Sequence, residues 1–390
     1  MFGFGERLKN LSDSLALRKT ESESAFGGFI FSGGGKLVNF ASNDYLGVSS
    51  RLDWQGEFLR ALAEKGGGYF MGSGSSRLLG CNAEAFAQFE SFAAKAYSVA
   101  AGERRACLFF NCGYHANAGI LPALATPRDL IIADKLSHAS LIDALRLSPA
   151  KWLRYPHADM EELDKILTRR RAEFENVFIA TESVFSMDGD VSDIAALAEI
   201  KKRHDAFLYI DEAHSFGVFG ARGLGLCAGS GRLADVDLAM CTLGKAAGGE
   251  GAFAVCSPET REMLVNKCRT FIYSTAVAPI APMWAKFVLE KIFSMDAERR
   301  KLAELAEIFR KNAPSALGTS QIAPIVAGEN SRALEISAKL RERGFCVPPV
   351  RHPTVPQGTA RLRFSLCASH DAESVAEAAA LAQKLAEGAR

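Results

Sequence analysis

The sequence predicts an α/β protein, with a large domain built around a mostly parallel central sheet and a smaller C-terminal α+β domain. Two observations predict it. Short apolar runs alternate with helical patterns from about residue 50 onward, the order that makes crossover units and a parallel sheet. After Pro279 and Pro282 the texture changes. A chain of 390 residues exceeds one ordinary domain. We therefore expect an N-terminal segment 1–48, a large domain 49–282 and a small domain 283–390.

The elements follow in order. Residues 6–19 read as a short helix, and 20–36 as a polar, glycine-rich linker. Residues 37–42 (LVNFAS) read as a strand. Apolar residues at three- and four-residue spacing predict a helix over 83–98. ACLFF at 106–110 is a buried strand, with a helix after it at 115–125. LIIAD at 130–134, VFIATES at 177–183, FLYIDEA at 207–213 and VDLAMCTLG at 236–244 are further strands. A long helical stretch over 283–312 leads to a strand at 321–328. Next come a helix at 331–344 with Ser331 as N-cap and glycine at its end, a strand at 361–367, and a closing helix at 371–388.

Composition excludes several classes. The 48% hydrophobic and 23% charged fractions are those of a globular chain that can bury a large core. Forty-six basic residues face 45 acidic ones, a net charge of +1, so there is no nucleic-acid footprint. RRR at 169–171 reads as a solvated helix end. The nine cysteines are odd in number and scattered, without C-x-x-C. Neither a disulfide framework nor a zinc site is expected. The start lacks the apolar core of a signal peptide, and no run has membrane-spanning length. A reducing cytoplasm fits best.

In open parallel sheets ligands bind beyond the carboxyl ends of the strands. The run at 177 ends in Thr181-Glu182-Ser183, that at 207 in Asp211-Glu212-Ala213-His214, and that at 236 leads through Thr242 to Lys245. Each alone reads equally as a cap or a loop residue; their recurrence points to a site. Lys245 sits among Gly and Ala in CTLGKAAGGEGA. The phosphate-loop pattern fails, because Ala246 takes the hydroxyl position and the first glycine is missing. A lysine at a strand end can instead form a Schiff base with a carbonyl compound. Asp211 could then hold the proton on the nitrogen of a pyridoxal ring, or it is simply an N-cap. Gly113 opens a helix whose backbone amides can hold a phosphate, with Thr242 adding a hydroxyl. His138 can stack on a flat ring or meet a carboxylate. The loop 66–80 (GGGYFMGSGSSRLLG) lacks the third glycine of a dinucleotide fingerprint.

These segments resemble the α-oxoamine synthases, pyridoxal 5'-phosphate enzymes of the aminotransferase-like fold (fold type I). The matching stretches are NFASNDYLG at 39–47, GSGSSRLLG at 72–80, DKLSHASLIDA at 134–144, TESVFSMDGD at 181–190, IDEAHSFGVFG at 210–220, TLGKAAG at 242–248 and IYSTA at 272–276. They run in family order along nearly the whole chain. The stretch VRHPTVPQGTARLRFSL at 350–366 leans toward the subgroup that condenses L-alanine with pimeloyl-CoA or a pimeloyl-carrier protein. His352, Ser183 and Glu250 depart from the pattern.

The resemblance implies a role for each matching residue. Lys245 carries the cofactor as a Schiff base. Asp211 pairs with the ring nitrogen, and His214 with the ring oxygen. His138 stacks on the ring and helps place the substrate carboxylate. Gly113 and Tyr114 offer backbone amides to the phosphate, and Glu182, Ser186 and Thr242 line the cofactor. Ser274 and Thr275 reach the phosphate from the partner subunit of a homodimer. Asn43 and Arg351 lie near the amino-acid carboxylate, and Arg18 and Thr354 near the acyl substrate. The competing expectations are glycine with acetyl-CoA, a longer acyl chain, or a non-catalytic cofactor-binding protein.

Overall fold

The computed structural model describes residues 2–18, 20, 23–32, 35–64 and 71–388. The glycines at 66–68 fall outside the described residues. The chain divides into two compact units. The larger comprises Arg51–Phe185 and Val191–Asp296; the smaller comprises Met1–Ser50, Ser186–Asp190 and Ala297–Arg390.

In the larger unit seven strands form one sheet. Across it they run Ala106–Phe110, Ala252–Cys256, Leu238–Thr242, Phe207–Asp211, Val177–Glu182, Leu130–Asp134, Lys151–Tyr155. Neighbours pair in parallel except at Ala252–Cys256, which is antiparallel to both its partners. The mostly parallel sheet is the fold the sequence predicts. Two strands escaped the sequence reading. Lys151–Tyr155 lies at the sheet edge with alternating charge, so it lacks an apolar run. Ala252–Cys256 follows the glycine-rich turn directly, without an intervening helix.

The core is strand side chains under helices. Phe110, Ile131, Tyr209 and Met240 pack with Ile120, Leu141 and Leu264, all at most 2% exposed. Each such side chain contributes about 1.5–3 kcal/mol of apolar burial. Helix Gly113–Leu124 packs closely against residues 268–272: a Cβ on Gly119 would lie 2.1 Å from Thr270 Oγ1. Helix Ile280–Ile292 belongs to this unit, where Trp284 meets Phe58 edge-on. The texture change at Pro282 therefore falls inside the larger unit. The expected helix over 283–312 is two helices, Ile280–Ile292 and Asp296–Asn312.

In the smaller unit the described residues of the expected linker at 20–36 instead form a strand hairpin. Ser24–Phe26 pairs with Phe29–Ser32, which pairs with Gly35–Asn39. Gly27 and Gly28 both take positive φ, 60° and 84°, the two-residue turn that matches strand twist. The Gly-Gly pair between aromatic residues was a hairpin signal that polar composition masked. Phe345–Cys346 adds in parallel beside Gly35–Asn39, so the N-terminal segment packs with the C-terminal one. The expected N-terminal helix is Phe4–Asp13, with Leu15 at φ 54° just beyond it. A second sheet holds Ile322–Gly328, Ala360–Ser365 and Pro349–Val350. Helix Asn330–Glu342 starts at Glu329, without a side-chain cap, so Ser331 is not its N-cap. Helix Ala372–Glu387 is capped by Asp371, which accepts from Ser374 N at 2.7 Å.

The loop Ser186–Asp190 packs with this smaller unit, although its sequence neighbours lie in the larger one. A Cβ on Gly189 would lie 2.0 Å from the Ile322 carbonyl oxygen, so only glycine fits. Arg361 pairs with Asp188, and Arg363 donates to the Ser186 carbonyl. Among the described residues no helix is long and apolar enough to cross a membrane. All nine cysteines are free.

Candidate active site

The larger unit gathers most of the expected residues around a cavity of about 400 Å³. Strand register brings them together. Glu182 and Asp211 end adjacent parallel strands and are direct partners. Thr242 ends the next strand. The chain then turns at Leu243–Gly249, held by Leu243 N to Gly251 O and Gly249 N to Leu243 O, both at 2.9 Å. Gly251 sits at φ 108° against the Phe109 ring, which a Cβ would strike at 2.4 Å. This turn presents Lys245 to the cavity, with Nζ 2.9 Å from His214 Nε2. The small residues around Lys245 are thus those of a tight turn. Glu250 stands on the same turn and lines the cavity, and nothing in the structure assigns it a task.

The carboxylates are deeply placed. Asp211 is 5% exposed; its Oδ1 accepts from Ala213 N at 2.8 Å and its Oδ2 from Asn117 Nδ2 at 2.7 Å. Each oxygen keeps a lone pair for a further donor. Burial, reinforced by the charge of Asp211, pushes Glu182 well above the usual carboxyl range. Glu182 accepts from the backbone N–H of His138. His138 begins the helix Ala139–Leu147, and its Nδ1 accepts from Ser140 N at 3.2 Å. Burial lowers its imidazole pKa; Asp211 opposes the shift and Lys245 adds to it.

An anion site lies at the start of helix Gly113–Leu124. Backbone amides and the positive end of the dipole converge there. Cys112 caps the helix through its Sγ, which accepts from His115 N at 3.4 Å. A Cβ on Gly113 would lie 2.6 Å from Thr242 Cγ2, so glycine lets the helix start approach that strand end. Tyr114 donates its hydroxyl to Asp143. An amine, a buried carboxylate, an imidazole and a helix start with no side chain in the way form the donor set that pyridoxal 5'-phosphate requires.

Other expected residues stand elsewhere. Neither Ser274 nor Thr275 lines this cavity. Ser274 lines another of about 500 Å³ with Gly119, Leu147 and Tyr273, and the Thr275 carbonyl accepts from Asn111 Nδ2 at 2.7 Å. Arg18, Arg351 and Thr354 line a pocket of about 280 Å³ in the smaller unit. There Arg18 donates to Thr354 Oγ1 at 2.6 Å, and Arg351 to the Leu15 carbonyl. Ser186 and Asn43 belong to the same unit. Asn43 Oδ1 accepts from Arg363 at 3.2 Å and from the Tyr45 hydroxyl at 3.1 Å.

Sequence reasoning missed two groups. Arg363 is 6% exposed and also donates to Ser365 Oγ at 2.6 Å; its alternation with Arg361 on one face of a strand was the available signal. Asn117 and Tyr209 lie behind Asp211. Asn117 stands one helical turn after Gly113, a spacing that could have placed it on the strand-end side.

These features define a class of enzyme in which a strand-end lysine and aspartate flank a helix-bound phosphate. The chain belongs to the aminotransferase class I and II family, whose model matches residues 35–381. Pyridoxal 5'-phosphate is the cofactor of this family. The chain is 44% identical to the 8-amino-7-oxononanoate synthase of Chlorobaculum parvum, over 94% of this chain and 93% of that one. It resembles the crystal structure of the 8-amino-7-oxononanoate synthase of Francisella tularensis, with TM-score 0.73, 28% identity, and coverage of 89% and 97%. The serine palmitoyltransferase of Sphingomonas wittichii superposes with TM-score 0.85 at 27% identity, covering 99% and 96%.

Proposed function

We propose that the chain condenses L-alanine with pimeloyl-CoA, or with a pimeloyl-carrier protein, with loss of CO2. The products are 8-amino-7-oxononanoate and the free thiol, a step of biotin biosynthesis. One observation carries the reaction class: Lys245, His214 and the buried carboxylate of Asp211 open on one cavity. The substrates follow from the likeness to the Chlorobaculum parvum synthase along nearly the whole chain.

When bound, pyridoxal 5'-phosphate supplies an aldehyde for an amine and an electron sink for the α-carbon. Gly113 and Tyr114 amides with the Thr242 hydroxyl would hold its phosphate, Asp211 its ring nitrogen, His214 its ring oxygen and His138 its ring face. Glu182 and Ser186 would line it. Lys245 would hold the aldehyde in the absence of alanine. Its freed amine would accept the α-proton of alanine, and its proximity would make the transfer effectively intramolecular. The α-carbon attacks the thioester carbonyl and the thiolate leaves. The carboxylate departs as CO2, and Lys245 returns a proton to the α-carbon. In the smaller unit Asn43 and Arg351 would serve the alanine carboxylate, and Arg18 and Thr354 the acyl chain.

We further infer a homodimer working in the cytoplasm, with Ser274 and Thr275 of one subunit serving the phosphate of the other. Tyr273 and Leu147, 71% and 65% exposed, form an apolar patch beside Ser274 that such a partner would cover.

Mass spectrometry of products tests the reading. Purified enzyme is offered alanine, glycine or serine, each with acetyl-, pimeloyl- and palmitoyl-thioesters. Alanine with the pimeloyl donor should give 8-amino-7-oxononanoate fastest. The likeness to serine palmitoyltransferase favours a second reading, a longer acyl chain with another amino acid. Faster turnover of serine with palmitoyl-CoA would establish it instead.

A further inference from the structure

Behind the candidate site lies a buried chain of hydrogen bonds that no step above uses. Asn117 is 1% exposed and lines the cavity. Its Nδ2 donates to Asp211 Oδ2 at 2.7 Å and to Ser140 Oγ at 2.9 Å. Its Oδ1 accepts from the hydroxyl of Tyr209, which is fully buried. Ser140 Oγ in turn lies 2.7 Å from His138 Nδ1.

Polarity fixes the direction of this chain. Flipping the Asn117 amide would set its oxygen against the Asp211 carboxylate, two acceptors facing each other. So both amide hydrogens are spent, one on Asp211 and one on Ser140. Ser140, accepting from Asn117, has its own hydrogen left for His138 Nδ1. Ser140 N also donates to that nitrogen. Nδ1 is then an acceptor, and the proton of the neutral imidazole sits on Nε2. One amide thus orients the carboxylate at one place in the cavity and, through Ser140 Oγ, reinforces at another the imidazole tautomer that Ser140 N also favours.

We propose that Asn117 is a positioning residue that couples Asp211 to His138, orienting the carboxylate and favouring the Nε2–H tautomer of the imidazole. The proposal rests on the reading of the cavity as a pyridoxal 5'-phosphate site. It does not depend on which thioester is the acyl donor. Helix packing alone is a poor explanation for the residue type. A leucine of similar size would suit the helix but would leave Asp211 and Tyr209 each short of a partner.

The test uses the α-hydrogen exchange of alanine in D2O, read by NMR on the holoenzyme, which needs no acyl donor. Asn117→Asp keeps the shape and replaces both donors by acceptors, forcing Asp211 to share a proton. Exchange should slow by about ten- to a hundredfold, with the alanine KM within about threefold. The absorption band of the bound cofactor should shift, and the apoprotein should still bind pyridoxal 5'-phosphate. Ser140→Ala breaks only the arm to His138 and adds no charge; it should slow exchange by about three- to tenfold with the band unmoved. If Asn117→Asp does not fold, Ser140→Ala decides alone, and unchanged exchange overturns the proposal. It is also overturned if Asn117→Asp exchanges at the wild-type rate per bound cofactor. A wild-type protein that binds no pyridoxal 5'-phosphate would instead sink the reading of the cavity.

Discussion

The two units present their polar side chains in opposite ways. In the larger unit the cavity is walled by strand ends, and its strand-end acids are nearly inaccessible: Glu182 is 3% exposed and Asp211 5%. Parallel register alone sets them side by side. In the smaller unit Arg18, Arg351 and Thr354 stand on loops around a small pocket. The first arrangement can hold charges at fixed separations, as bond-making requires. The second can select a chain or a carboxylate without rebuilding the core. The proposed roles make chemistry and selection separable, so mutations in the two units should fail in different parameters.

The strongest attempt to break that division is Lys245→Ala. Removing the amine removes both the aldehyde partner and the proton acceptor, so turnover should fall by at least about 10⁴-fold. Product formation near the wild-type rate would end the account. Asp211→Asn keeps the shape but loses the charge opposite the ring nitrogen. It should lower kcat by about 10²–10³-fold with little change in the acyl-donor KM, measured by steady-state kinetics. Arg351→Ala and Arg18→Ala should reverse that pattern. Each loses a charged hydrogen bond worth about 1.5–3 kcal/mol, raising a KM about tenfold or more with the cofactor absorbance unchanged. A pure kcat defect in either would merge the two roles.

Stability against pH sharpens the same contrast, with opposite signs. In the smaller unit His370 donates its Nε2–H to the Asn39 carbonyl oxygen at 3.1 Å, and its Nδ1 accepts from Cys367 N at 3.2 Å, the pattern of a neutral ring. Burial lowers its pKa from 6.5 to about 4. The unfolded chain takes up the proton first. Stability is therefore full above about pH 6.5 and falls toward pH 4, by roughly 3 kcal/mol at most. Urea unfolding across that range should show the slope, and His370→Asn should flatten it. In the larger unit Glu182 is raised by burial and then by Asp211. Here the unfolded chain gives up its proton first, so stability is present below pH 4.5 and is lost as pH rises. The apoprotein of Glu182→Gln should match wild type at pH 4.5 and melt above it at pH 8, by about 2–4 °C per kcal/mol regained.

The same division governs what could be read from the sequence. The four apolar runs that carry Asp134, Glu182, Asp211 and Thr242 are buried on both faces, so they announce themselves and put their polar ends on one edge. Lys151–Tyr155 is an edge strand with exposed charges and gave no such signal. In the smaller unit strands are short and amphipathic, and hairpin residues 24–32 and 35–36 passed for a linker because Gly and Ser recur among them. Arg363 was hidden for a related reason. A buried arginine reads as surface until the strand pairing shows that Leu362 and Phe364 take the opposite face. Asn117 was legible only as a helix residue, since its partners come from positions 94 and 23 residues away.

Borohydride reduction, followed by peptide mass spectrometry, tests the central claim most directly. The holoenzyme should be bleached, and the pyridoxyl mass should appear on the peptide containing Lys245 and on no other. Label on a different lysine, or a coloured protein that borohydride leaves unlabelled, would contradict the account of this cavity.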